Sequence, residues 1–158
     1  MENRLLGGSG FSVPVLSLGT GTFGGNHPFF STWGNSDVQE ATRLVDLCLE
    51  AGVNLFDTAD VYSNGHSEKA VGRLLNSRKE KIYVATKCGR QLNPHISEAY
   101  TPKVLRGFVE DSLKRMKIER IDLIQLHCPP TQVFYRPEIF ELFDRLKDEG
   151  KIANLGVS

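Results

Sequence analysis

Apolar runs and amphipathic stretches take turns along this chain, and that alternation restricts its fold more than any other feature. Residues 16–19, 53–56, 82–86, 121–126 and 152–157 are short and strongly apolar, which predicts five strands. Four helices are predicted between them. Ser36 supplies an N-cap for the first, which runs to about residue 51 and stops at Gly52. Its Val38, Ala41, Leu44, Val45 and Cys48 share one face at three-and-four spacing. The others span about 67–75, 102–116 and 137–149. Thr101-Pro102 puts proline at the first position of the third, and Gly150 ends the fourth. Apolar strands with amphipathic helices between them predict parallel βα units whose helices cover the sheet.

Ahead of the first unit, residues 4–15 set two short apolar pieces around Gly7-Gly8-Ser9-Gly10, a hairpin signal. At 158 residues the whole chain, 1–158, fits one domain with a sizeable core. Lys plus Arg equals Asp plus Glu at 19 each, so the formal net charge is zero. That offers no basic field for nucleic acid and no polybasic patch for a membrane. Met1-Glu2-Asn3-Arg4-Leu5 lacks the apolar core of a signal peptide, and no apolar run is long enough to span a bilayer. Cys48, Cys88 and Cys128 are far apart, with no CxxC pair. A reduced, cytoplasmic protein without a metal site is the expectation.

Chemistry concentrates where the strands end. The second strand runs into Phe56-Asp57-Thr58-Ala59-Asp60-Val61-Tyr62, the third into Thr86-Lys87 and the fourth into Leu126-His127. Parallel strands bring these ends to one rim, so Asp57, Tyr62, Lys87 and His127 are predicted neighbours. A phenol, with a free pKa of about 10, is a poor acid at neutral pH. An adjacent ammonium stabilises the phenolate, a carboxylate holds that ammonium, and an imidazole orients a carbonyl oxygen. The set suits protonation of a carbonyl oxygen while hydride arrives at carbon. Taken singly, each residue has a plainer role. Asp57 could cap its loop, Tyr62 could pack as an aromatic, Lys87 could snorkel, and His127 could be a hydrogen-bonded core residue.

Gly19-Thr20-Gly21-Thr22-Phe23-Gly24 matches G-x-G-x-x-G. A dinucleotide fingerprint needs a helix to open at those glycines, and Pro28 with an aromatic loop intervenes. Phe29, Phe30 and Trp33 either line a substrate mouth or anchor that loop. Side-chain alternation predicts Cys88 and Cys128 on the helix side if Lys87 and His127 face inward, provided the strands persist that far.

Gly19-Thr20-Gly21-Thr22-Phe23, Asp57-Thr58-Ala59-x-x-Tyr62-x-x-Gly65-x-Ser67-Glu68, Thr86-Lys87, Leu126-His127-x-Pro129 and Gly156-Val157-Ser158 together resemble the aldo-keto reductase family. The resemblance covers essentially the whole chain. The Ser-Asn-Gly-His-Ser-Glu loop is closer to the bacterial and potassium-channel-β-like branch than to the mammalian aldose reductases. It implies a (β/α)8 TIM barrel with an N-terminal β-hairpin, reducing a small aldehyde or ketone with NADPH. By motif position Tyr62 would be the proton donor, Lys87 the cation that makes it a better acid, Asp57 the partner of Lys87, and His127 the carbonyl-orienting group. The same resemblance puts Gly21, Thr22, Phe23, Asp57 and Ser158 at the cofactor, and Tyr62, His127 and Trp33 at the substrate.

Such a barrel typically needs about 250 residues. A chain of five strands and four helices is therefore expected to be truncated after the fifth strand. It should be impaired or inactive alone and prone to self-association through its open edges. The resemblance also admits a different class of function, a non-catalytic cofactor-sensing or binding subunit of the channel-β type, or a truncated remnant.

Overall fold

The protein is described here by a computed structural model, covering residues 1–23 and 38–158. The predicted N-cap Ser36 and the loop residues Pro28, Phe29, Phe30 and Trp33 lie outside the described residues.

The hairpin forms as predicted. Strand β1 (Asn3–Leu5) pairs antiparallel with β2 (Ser12–Pro14), in register Arg4 to Val13. Gly7 and Gly10 turn the chain with φ of 51° and 74°, a region open to glycine at little cost. The βα units follow as β3 (Leu18–Gly19), α1 (Val38–Glu50), β4 (Leu55–Asp57), α2 (His66–Ser77), β5 (Tyr83–Cys88), α3 (Pro102–Met116), β6 (Ile121–Leu126), α4 (Pro137–Asp148) and β7 (Ile152–Val157). These five strands make one parallel sheet in the order β3-β4-β5-β6-β7. The first of them is only two residues long. Its predecessors Val15 and Leu16 are exposed, so apolar character alone overstated its length.

Helices cover one face of this sheet. Val84 and Cys88 of β5, Ile124 and Leu126 of β6, and Ile152 of β7 are buried with apolar residues of α2, α3 and α4. A smaller core joins Phe56 of β4 to Ala41 and Val45 of α1, Ala70 of α2, and Phe23. Burying a large apolar side chain contributes roughly 1.5–3 kcal/mol, so these two cores are the main hold on the sheet. Helix α1 departs from expectation at Leu44, which is 38% exposed. Its buried stripe runs Ala41, Val45 and Leu49, stepping by four, and Leu44 falls off its edge.

Alternation along β5 turns Tyr83, Ala85 and Lys87 to the face away from the helices. The Tyr83 ring packs at 4.9 Å on Phe11, which seats the hairpin at the N-terminal end of the strands. The opposite rim, at the C-terminal ends, is thereby left to the loops.

Among the described residues, strands β3 and β7 are both unpaired on their outer sides. Strand β7 is six residues long and carries the half-exposed Val157, while α1 exposes Leu44 and Leu47. Open edges beside exposed apolar side chains invite pairing with other copies. The 158-residue protein is expected to elute in size-exclusion chromatography above its monomer mass, increasingly so with concentration. A monomer at every concentration would rule out edge-mediated association.

Candidate active site

The predicted catalytic residues sit where strands give out. Asp57 is the last residue of β4, Lys87 the penultimate residue of β5, and His127 the first residue beyond β6. Asp57 pairs in register with Ala85, so Lys87 stands one pleat repeat further along the same face. Backbone pairing continues past the strand ends: Thr58 N–H donates to Ala85 O (2.8 Å), Asp60 N–H to Lys87 O (3.2 Å) and His127 N–H to Cys88 O (2.9 Å). The rim is therefore tied to the sheet rather than free as a loop would be.

Tyr62 opens the short 3-10 turn Tyr62–Gly65, in which Ser63 and Asn64 hold φ of 48° and 54°. Left-handed backbone at a non-glycine residue costs about 1 kcal/mol or more, so contacts around the turn must hold it. The Tyr62 ring lies against Gly21, where an added Cβ would sit 4.0 Å from its edge carbons.

These residues converge on the Lys87 ammonium. It donates to Asp57 Oδ1 at 2.5 Å, to the Thr58 carbonyl at 2.9 Å and to the Tyr62 hydroxyl at 3.2 Å. The Lys87 side chain is 6% exposed and that of Asp57 34%. A nearly buried cation is thus compensated by one half-open carboxylate and one carbonyl, and it spends its third donor on the phenol. The His127 ring meets Tyr62 edge-on, with centroids 6.2 Å apart and planes at 89°. Burial, then the nearby Lys87 and Arg90 charges, hold its pKa below the usual histidine value, so the imidazole is neutral at pH 7. Its Nδ1 is buried with no hydrogen-bond partner among the described residues. A phenol bonded to an ammonium, beside a neutral imidazole, can give a proton to a carbonyl oxygen and orient it.

The sequence matches a known family. The family model described as "Aldo/keto reductase family" matches residues 15–158. The chain belongs to the aldo/keto reductases. It is 32% identical to the aldo-keto reductase YhdN of Bacillus subtilis, over 100% of this chain and 47% of that protein. It is 33% identical to the NADH-specific methylglyoxal reductase of Escherichia coli, over 100% and 52%. Against the probable voltage-gated potassium channel subunit beta of Oryza sativa the figure is 35%, over 82% and 38%. Among solved structures, the holo form of aldo-keto reductase AKR11C1 from Bacillus halodurans superposes with a TM-score of 0.78 at 34% identity, covering 100% of this chain and 50% of that one. An aldo-keto reductase from Klebsiella pneumoniae in complex with NADPH gives a TM-score of 0.68 at 25% identity, covering 92% and 45%. The chain thus spans about half the length of the relatives it matches, and its fold is the hairpin and five-stranded portion of their TIM barrel.

Within this aldo/keto reductase half-barrel the other predicted residues are distributed unevenly. Gly21 and Thr22 lie at the rim turn that Phe23 N–H closes on Thr20 O (3.0 Å). The Phe23 ring, however, is buried in the smaller core, so any cofactor contact from this residue falls to its backbone. Ser158 reaches the same rim beyond β7, its N–H bonded to Leu126 O and its carbonyl to Cys128 N–H. Trp33 lies outside the described residues. Cys88 is buried on the helix side. Cys128 is not: β6 stops at Leu126, alternation ends with it, and Cys128 is exposed with φ of 49°. Among the described residues, no three His, Cys, Asp or Glu side chains gather as a metal ion would require.

Beneath the rim lies a buried polar layer that sequence reasoning left without a role. Ser67 exchanges hydroxyl hydrogen bonds with Thr20 and Thr58, each 2.9 Å, and donates to Thr20 O at 2.7 Å. Glu68 meets Thr86 and Arg115. Asp60 is 1% exposed, and neither carboxylate oxygen has a well-formed hydrogen bond among the described residues. Burial, then the Glu68 charge, push its pKa up to about 7, against the opposing pull of Arg115 and the weaker polar contacts of the Val61 N–H and the Gln91 side chain.

A folded-state pKa above the unfolded value means that the native state binds the extra proton. The contribution of Asp60 to stability is therefore full below about pH 4 and is lost as pH rises through 7. Asp60→Asn, which mimics the protonated form, should match the wild type near pH 4 and exceed it by about 2–4 kcal/mol above pH 7. Urea unfolding at pH 4.5 and 8 checks this. An equal difference at both pH values would mean that Asp60 does not titrate as described.

Proposed function

We propose that this protein contributes the proton-transfer half of an NADPH-dependent carbonyl reductase acting on a small aldehyde or ketone. The observation that carries the reading is the Lys87 ammonium shared between Asp57, the Thr58 carbonyl and the Tyr62 hydroxyl. The Tyr62 hydroxyl gives its proton to the carbonyl oxygen, and Lys87 stabilises the phenolate left behind. Asp57 offsets the charge on Lys87, and neutral His127 orients the carbonyl oxygen from the other side.

The residue types at the rim fit the nicotinamide end of a cofactor. Asp57, Ser158 just beyond β7 and the backbone of Gly21, Thr22 and Phe23 would hold it, since a carboxamide both donates and accepts and these groups supply acceptors and donors. When bound, the cofactor supplies hydride to the carbonyl carbon. NADPH is preferred here because a neighbour superposing on 92% of the chain was solved with it, although the Escherichia coli relative is named as NADH-specific.

A titration of the chain with NADPH and NADH, followed by cofactor fluorescence, tests the reading; addition of a generic aldehyde then tests turnover. Aldehyde-dependent oxidation of NADPH is the expected result in a completed barrel, with weaker binding and little turnover in the 158-residue chain alone. The resemblance to the rice channel subunit favours a second reading, a cofactor-binding subunit without turnover. Tight NADPH binding with no aldehyde reduction would select it. A cytoplasmic location accompanies both readings, and no described helix is long and apolar enough to cross a membrane.

A further inference from the structure

We propose that Glu68 is a positioning residue for the Tyr62–Lys87 pair, acting through Thr86 on one side and Arg115 on the other. The inference rests on the reading of Tyr62 as proton donor.

Glu68 stands in the first turn of α2 and is fully buried. One carboxylate oxygen accepts the Thr86 hydroxyl at 2.6 Å, and the other accepts Arg115 Nε at 2.5 Å. Thr86 immediately precedes Lys87 on β5, and its side chain takes the opposite face. A hydrogen bond that pins Thr86 toward the helices therefore fixes the pleat from which Lys87 projects toward the rim.

Arg115 carries the other half of the link. Its NH2 group donates to Ser112 Oγ at 3.0 Å, so the guanidinium is held by α3 as well as by Glu68. A Cβ at Gly65 would lie 2.7 Å from Arg115 Cδ and 3.1 Å from Nε. The turn that opens with Tyr62 thus rests directly on the Arg115 side chain at its last residue. That turn contains the two left-handed residues Ser63 and Asn64, and it needs such a support. One carboxylate consequently couples the strand bearing Lys87 to the turn bearing Tyr62, whose functional atoms are 3.2 Å apart.

Stability alone does not account for this arrangement. A buried ion pair returns little net stability, and here its acid sits near Asp60, a second buried acid whose pKa the Glu68 charge helps to raise. Geometry at the rim is the benefit that remains.

The test uses Thr86→Val, Thr86→Ser and Glu68→Gln in the 158-residue chain. Lys87 labelling by acetic anhydride is read by mass spectrometry against exposed Lys103. Alkylation of Cys88, buried on the helix side of the same strand, reports general opening. Thr86→Val and Glu68→Gln should label Lys87 at least about 5-fold faster while Cys88 stays protected, and Thr86→Ser should behave as wild type. In a completed barrel that reduces aldehyde, the first two should lower kcat about 10-fold with little change in KM, and Thr86→Ser should restore it. Parallel increases at Lys87 and Cys88, or no change at Lys87, would overturn the proposal, because a merely structural Glu68 gives one or the other. Absence of turnover even in the wild-type barrel would overturn the reductase reading alone, and the labelling would still decide the role of Glu68.

Discussion

Tyr62→Phe should reduce turnover by about 10²–10⁴-fold, the usual contribution of a positioned general acid, while cofactor affinity stays nearly unchanged. The substitution is well isolated by its surroundings. The ring would still lie against Gly21 and meet His127 edge-on, because both contacts involve ring carbons. Lys87 would keep Asp57 and the Thr58 carbonyl as acceptors and lose only its longest hydrogen bond. No buried charge is stranded, so the unfolding midpoint should move little. Measured in a completed barrel, kcat and the cofactor dissociation constant separate chemistry from binding. Turnover comparable to wild type would remove Tyr62 from the mechanism.

The rim was legible in the sequence because strand ends are legible. Asp57, Lys87 and His127 each follow an apolar run, and parallel topology forces the ends of such runs together. What lies under the rim was not. Nothing local to Thr58 says that its carbonyl accepts from Lys87, since any residue there has a carbonyl. Arg115 is 47 positions beyond Glu68, and only the packing of α3 on α2 joins them. Ser67 and Glu68 were visible as part of a motif, yet an N-terminal helix turn with serine and glutamate ordinarily reads as an exposed cap. Asp60 carries no local mark of burial, which depends on how the turn after it folds back. Phe23 shows the reverse case: a rim position in sequence whose side chain the core claims. Alternation was sound where a strand persisted, at Cys88, and its condition was not met at Cys128, two residues past the end of β6.

Lys87→Met should both destabilise the protein and impair the acid. Methionine can fill much of the space taken by the lysine stem, so the loss is chiefly electrostatic. It strands the Thr58 carbonyl and leaves the Asp57 carboxylate without its cation. Breaking a fully buried pair costs about 3–5 kcal/mol. Asp57 is 34% exposed and water can replace part of the lost contact, so a cost of about 2–3 kcal/mol is expected here. Asp57→Asn in the same background should recover part of it, because the unpaired charge is then gone. Turnover should fall as well, since the phenolate no longer has an ammonium beside it. Urea unfolding of the single and double variants, with kcat in a completed barrel, measures both effects. Wild-type stability together with wild-type turnover would mean that the 2.5 Å contact between Lys87 and Asp57 supports neither the fold nor the chemistry.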